Sequence, residues 1–146
     1  IHGRTRTQMY SGRVDLDIIK SVKESVKIPV IASGDVVDRE SYLRTLEYTH
    51  CDAVMIGRGA LGRPYVFEEV RGIEPQANKY DIIVRHIGML ESLYSESFVS
   101  GHIRKHLLWY LKGEPNATEL KKFVSIEPSL KIVLDKLKEF FAYKKV

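Results

Sequence analysis

The stretches PVIASGDV (residues 29–36) and DAVMIGRGALGRP (residues 52–64) decide how this chain is read. They use one small device twice. The apolar run Pro29 to Ala32 ends in Ser33-Gly34-Asp35, and the run Ala53 to Ile56 ends in Gly57-Arg58-Gly59. Val and Ile runs without alternation suit strands of a parallel sheet covered on both faces. The residues between them have the length of a helical crossover. Glycine just past a strand lets the chain turn sharply and lets backbone N–H groups approach an anion. Two such turns at the carboxyl ends of adjacent strands make a phosphate cradle, and Arg58 adds a guanidinium suited to charge-assisted hydrogen bonds. Each turn alone also has a steric explanation, because strand-to-helix turns need glycine whatever they bind.

Working outward, Asp15 reads as the N-cap of a helix with Leu16, Ile19, Val22 and Val26 on one face. Asp38 caps the crossover helix, with Val37 and Tyr42 placed for a hydrophobic staple and Leu43 and Leu46 on its apolar face. A short helix follows Gly59, and Pro64 suits the first turn of a helix running to about Val70. Before Asp15 lies the loop HGRTRTQMYSG (residues 2–12), polar and basic. A strand end just upstream places His2 where (β/α)8 barrels present ligand-facing residues. There it would meet a cofactor ring or a substrate base, unless its role is structural. Arg4, Arg6, Gln8 and Tyr10 share this loop and are candidates for an anionic substrate, or simply an exposed polar loop. Asp35 is awkward beside a phosphate, so its side chain is expected to cap the next turn or to point at backbone. Cys51 precedes a strand, at the end opposite the glycine turns, and reads as a small buried side chain rather than a catalytic acid.

The chain has 146 residues and begins at Ile1, whereas an eight-stranded barrel takes about 250. A barrel reading therefore makes the chain a piece of something longer. No apolar run reaches the ~20 residues of a membrane span, and no signal peptide is visible. The single cysteine excludes an internal disulfide and a cysteine-based metal cluster, and fits a reducing, cytoplasmic compartment. The net charge of +4 is uneven: residues 1–101 carry 13 Lys/Arg against 14 Asp/Glu, and residues 102–146 carry 10 against 5. The basic excess lies wholly in the last third. On charge alone it fits a solvated helical surface better than a nucleic-acid partner, although nucleic acid is the leading candidate for an acidic partner.

The segment GIEPQAN (residues 72–78) reads as a domain boundary. The parts are then residues 1–72, a linker at 73–78, and an all-helical region at 79–146. Helices are expected over Tyr80–Ser97 (Ile83, Ile87, Leu90 and Tyr94 on one face) and over His102–Lys112, stopped by Gly113. A third follows an Asn116–Glu119 capping box, and a fourth carries Leu130, Val133, Leu134, Leu137 and Phe141. Arg104 falls within the apolar face formed by Ile103, Leu107, Leu108, Tyr110 and Leu111, so it needs a partner. Lys105 and Lys112 lie on the opposite side. Lys131, Lys138 and Lys145 repeat the seven-residue spacing, and these rows suit a phosphate backbone. Trp109 sits near the lysine face and is read as packing.

HGRTRTQMYSG, PVIASGDV, DAVMIGRGALGRPYVF and IRKHLLWYLKG, in this order and spacing, resemble the carboxyl-terminal half of a tRNA-dihydrouridine synthase. The likeness runs from Ile1 to about Gly113 and weakens beyond. It implies an α/β part plus an all-α part: the distal portion of a (β/α)8 TIM barrel holding FMN, then a small helical bundle that binds tRNA. It implies reduction of uridine to 5,6-dihydrouridine in tRNA, with NADPH as reductant and no metal. His2, Ser33, Gly34, Asp35, Gly57 and Arg58 would contact the cofactor. Arg4, Arg6, Tyr10, Arg104, Lys105 and Lys112 are the residues placed toward RNA. The family usually has Asn where this chain has Ser33, which keeps a hydroxyl donor. The family's catalytic cysteine belongs upstream of residue 1, so the chain by itself would be catalytically incomplete. Two other readings compete: an FMN barrel acting on a small molecule such as dihydroorotate, and a non-catalytic RNA-binding module.

Overall fold

A computed structural model describes residues 1–142. The chain forms two compact units, one spanning Ile1–Pro75 and the other beginning at Gln76. Lys145 lies outside the described residues.

The first unit is built on two parallel strands, β1 (Ile31–Ser33) and β2 (Ala53–Met55). Their register pairs Ile31 with Ala53, Ala32 with Val54 and Ser33 with Met55. A third segment runs parallel on the other side of β1. His2 bridges Ser33, the Ser33 N–H donates to the Ile1 carbonyl at 2.8 Å, and the Gly3 N–H donates to Ser33 at 3.4 Å. Helix α1 (Leu16–Ser25) begins at Asp15, whose carboxylate accepts from the Ile18 N–H at 3.0 Å. Helix α2 (Arg39–Thr49) makes the crossover and opens with a capping box between Asp38 and Ser41. Both helices pack together, and α2 packs on both strands. The core is small: Ile19, Val30, Ala32 and Cys51, flanked by Val14, Leu16 and Val54.

Two expectations fail here for physical reasons. The buried stripe of α2 is Ser41, Thr45 and Thr49, with Leu43 and Leu46 only half-buried. The threonine hydroxyls donate to carbonyls four residues back, Thr45 to Ser41 at 2.8 Å and Thr49 to Thr45 at 2.7 Å. Small side chains that satisfy their own hydroxyls lie flat against the strands without leaving an unpaired polar group. The strands, moreover, are covered on one face. Side chains alternate along a strand, so Ala32 and Val54 face the helices. Ile31 and Met55 point the other way and are about half exposed, at 52% and 53%.

After β2 the chain makes a 3₁₀ turn, Arg58–Ala60, starting two residues earlier than read from sequence, and then the single-turn helix α3 (Val66–Glu69).

The second unit holds α4 (Lys79–Glu91), α5 (Glu96–Tyr110), α6 (Thr118–Ile126) and α7 (Leu130–Ala142). One cluster forms its core, including Ile83, Ile87, Val99, Ile103, Leu107 and Leu137. The break between α4 and α5 falls at residues 92–95, upstream of the expected one, because Ser95 takes the extended N-cap conformation. Tyr94 is consequently half exposed rather than part of a buried stripe. The Asn116–Glu119 capping box does not form. Asn116 sits at φ 61°, the cap position falls on buried Ala117, and Glu119 pairs with Lys122 at 2.8 Å.

Candidate functional site

Parallel pairing brings three chain segments to one end of the sheet. His2 leaves the first segment there, Ser33-Gly34-Asp35 leaves β1, and Gly57-Arg58 leaves β2. The two glycine turns are in contact. A Cβ on Gly59 would lie 2.6 Å from the Val36 carbonyl oxygen, so only glycine permits this approach. Gly34, at φ 134°, would place a Cβ 2.5 Å from a Val14 methyl. Among the described residues, no acceptor takes the backbone N–H of Asp35, Gly57 or Arg58. Such unengaged amides beside a cation form an anion-binding concavity.

His2 accepts a hydrogen bond from the Arg4 N–H at Nδ1, at 3.1 Å. That leaves Nε2 of the neutral ring as a donor. Arg58 is about half exposed. Its guanidinium lies 4.2 Å from the centre of the Tyr10 ring and reaches Asp35 Oδ1 at 3.5 Å. Arg6 and Tyr10 are exposed on the loop.

Two members of this group do other work than the sequence implied. Arg4 does not face a substrate. Its side chain is only 4% exposed. Its Nε donates to the Ser11 carbonyl at 3.1 Å, Nη1 to Asp35 at 2.8 Å, and Nη2 to the Gly12 carbonyl at 2.8 Å and to the other Asp35 oxygen. Asp35, at φ 52°, neither caps a turn nor faces backbone, because the Arg4 fork holds its carboxylate. The hydrogen bond from Arg4, aided by the charges of Arg4 and Arg58, holds the Asp35 carboxyl below the usual range. Sequence could not show this pairing, since the partners are 31 positions apart.

Cys51 is buried at the opposite end of β2, in the core. There Asp52 clips the strands: its carboxylate accepts from the Val30 N–H at 2.7 Å and from Lys23 at 2.6 Å.

In the helical unit, Arg104 finds the partner its position demands. It donates to the carbonyls of Val124 at 2.7 Å and Pro128 at 2.9 Å, at the carboxyl end of α6, where the helix dipole favours a cation. Its guanidinium thus ties α5 to α6 and is not presented to RNA. Lys105, Lys112, Lys131 and Lys138 are exposed, and Lys112 lies over the Trp109 ring at 4.6 Å. A feature missed from sequence is a row of rings along α5. Phe98 stacks on Tyr94 at 4.6 Å and on His102 at 5.1 Å, and His106 meets His86 of α4 at 5.0 Å. The signal was the four-residue spacing of Tyr94, Phe98, His102 and His106.

Two adjacent glycine turns lie beside an arginine at the carboxyl ends of parallel strands, in an α/β unit followed in sequence by a helical one. Comparison with known proteins makes this specific: the sequence model of the family described as dihydrouridine synthase (Dus) matches residues 1–141, and the chain belongs to that family. It is 39% identical over 150 residues to the "Probable tRNA-dihydrouridine synthase" of Rickettsia bellii (strain RML369-C), covering 97% of this chain and 46% of that protein. It is 40% identical over 136 residues to "tRNA-dihydrouridine synthase B" of Pasteurella multocida (strain Pm70), covering 86% and 41%. The Vibrio parahaemolyticus (serotype O3:K6, strain RIMD 2210633) protein of that name is 36% identical, covering 97% and 47%. The chain spans about half the length of the curated relatives it matches.

Proposed function

We propose that this chain is the distal part of an FMN-dependent (β/α)8 barrel enzyme, followed by a tRNA-binding helical domain, and that the whole protein reduces uridine in tRNA to 5,6-dihydrouridine with NADPH. The observation that carries this reading is the pairing of β1 with β2, which sets Gly34 and Gly57-Arg58 side by side at one sheet end. The bare face bearing Ile31 and Met55 suits the inner side of a barrel completed by further strands. When bound, FMN supplies the hydride chemistry; the protein supplies position and charge.

The residues present fit that group. Amides of Asp35, Gly57 and Arg58 and the Ser33 hydroxyl would hold its phosphate, with Gly34 letting the chain turn beside it and Arg58 neutralising charge. His2 Nε2 would donate toward the ring or the uracil. Arg6 and Tyr10 extend from the same end toward RNA. On the helical unit Lys105, Lys112, Lys131 and Lys138 offer phosphate contacts, while Arg104 shapes the fold beneath them. The general acid that completes the reduction belongs to residues outside this chain. No helix among the described residues is long and apolar enough to cross a membrane, and a cytoplasmic location suits a tRNA-modifying enzyme.

The test is to purify the full-length protein and measure bound flavin and tRNA affinity across salt concentrations. A yellow protein whose tRNA affinity falls steeply with salt supports the reading, because counterion release gives that slope. A colourless protein would rule it out. A yellow one indifferent to tRNA would point to a small-molecule substrate.

A further inference from the structure

We propose that Arg4 is a positioning residue for the phosphate site: it occupies the Asp35 carboxylate so that Arg58 stays available to the ligand's phosphate. The inference rests on the FMN reading above. Asp35 lies within the cradle, between Gly34 and the Arg58 guanidinium. An unneutralised carboxylate there would do two harmful things. It would repel the incoming phosphate, and it would compete for Arg58 as a rival anion.

The geometry removes both problems. Arg4 meets both Asp35 oxygens in a bidentate fork, the strong form of this pair. Arg58 keeps only a long 3.5 Å contact to one of them, and its charge rests against the face of Tyr10. Neither hold is strong enough to rival a phosphate. Arg4 cannot replace Arg58 at the ligand, since Ser11 and Gly12 carbonyls take its remaining reach and its side chain is buried. The two arginines therefore divide the labour: one cancels the aspartate, the other waits for the phosphate.

A double-mutant cycle in the full-length protein tests this, titrating flavin-free protein with FMN and with riboflavin, which lacks the phosphate. Arg4→Met should weaken FMN binding by about tenfold or more, with riboflavin changed by less than about threefold, because only the phosphate senses the freed carboxylate. Asp35→Asn keeps the backbone amide and removes only the rival charge, so it should bind FMN more tightly than the parent; asparagine tolerates the positive φ. The double variant should return to within about threefold of the parent. A purely structural clamp predicts a different pattern: Asp35→Asn as damaging as Arg4→Met, no recovery in the double variant, and both flavins affected alike. That pattern, or an Arg4→Met protein that binds FMN normally, overturns the inference and leaves the FMN reading standing. Should Arg4→Met fail to fold, Asp35→Asn decides, since a tenfold loss there is incompatible with the proposal. A parent that binds neither flavin overturns the FMN reading itself, and the inference with it.

Discussion

Among the described residues, the helical unit buries twelve side chains in one cluster, from Ile83 to Leu137, while the cluster around the strands holds four. The helical unit draws its order from apolar packing. The strand unit leans on polar pins: Arg4 to Asp35 and two carbonyls, Asp52 to Val30 and Lys23, and Arg39 to the Val70 carbonyl at 2.8 Å. A unit with a full core is close to self-sufficient. One with a bare sheet face leaves apolar side chains such as Ile31 and Met55 in contact with water. The pins give direction to groups that a larger hydrophobic interior would otherwise hold.

The contrast can be broken experimentally. The largest effect is expected from Leu107→Ala, which empties a fully buried position in the helical core. It should cost about 2–5 kcal/mol in denaturant unfolding, and a loss below 1 kcal/mol would show that this core is not the source of the unit's stability. Next, Arg58→Ala in the full-length protein should lower FMN occupancy by about tenfold, the scale of one charge-assisted hydrogen bond, and alter tRNA affinity far less. Equal flavin in mutant and parent would remove Arg58 from the site. Lys105→Glu should weaken tRNA binding severalfold and flatten its salt slope by about one charge, with flavin content unchanged.

A smaller effect sharpens the contrast from the other side. Ile31→Ser should change the stability of the isolated chain by less than about 0.5 kcal/mol, as at most surface positions. It should cost several times more in the full-length protein, where further strands would cover that face. Equal effects in both would mean that the face stays open.

The mildest prediction concerns acid. Burial, and then the charges of neighbouring groups, holds the His86 and His106 imidazoles below their ordinary value. A folded state that prefers neutral imidazole has its full stability above about pH 6.5, where the unfolded histidines also lose their protons. As pH falls below that value the unfolded chain takes up protons first, and stability declines until the folded rings titrate too. The helical unit should therefore melt a few degrees lower at pH 5.5 than at pH 7.5. His106→Gln should shrink that difference. An unchanged pH slope in the variant would assign it to other groups.

Much of this was legible in the sequence, and the boundary of legibility has a physical cause. Asp15 and Asp38 announced their helices because an N-cap is a local event, decided within three residues. The strands and their glycine turns were legible because β-branched runs and φ-permissive residues are local signals too. Arg104 in an apolar stripe correctly demanded a partner, although the wheel could not say that the partner was the end of α6. What stayed hidden were long-range pairings. Arg4 reads as a loop arginine until Asp35 is brought to it. The flat face of α2 reads as Leu43 and Leu46 until the threonines are seen satisfying their own hydroxyls. The expected box at Asn116 failed because its pattern of residue types is common and its backbone conformation is not written in those types.

Asp52, at the end of the sheet opposite the glycine turns, carries a last consequence. By holding the Val30 amide it fixes which residue of one strand stands beside which of the other. Side chains reverse face at every step along a strand, so a slip of a single residue would turn Arg58 away from its neighbours. A carboxylate at one end of the sheet thus acts as the alignment mark for chemistry at the other, and Asp52→Ala should blur flavin binding from a distance without touching the flavin.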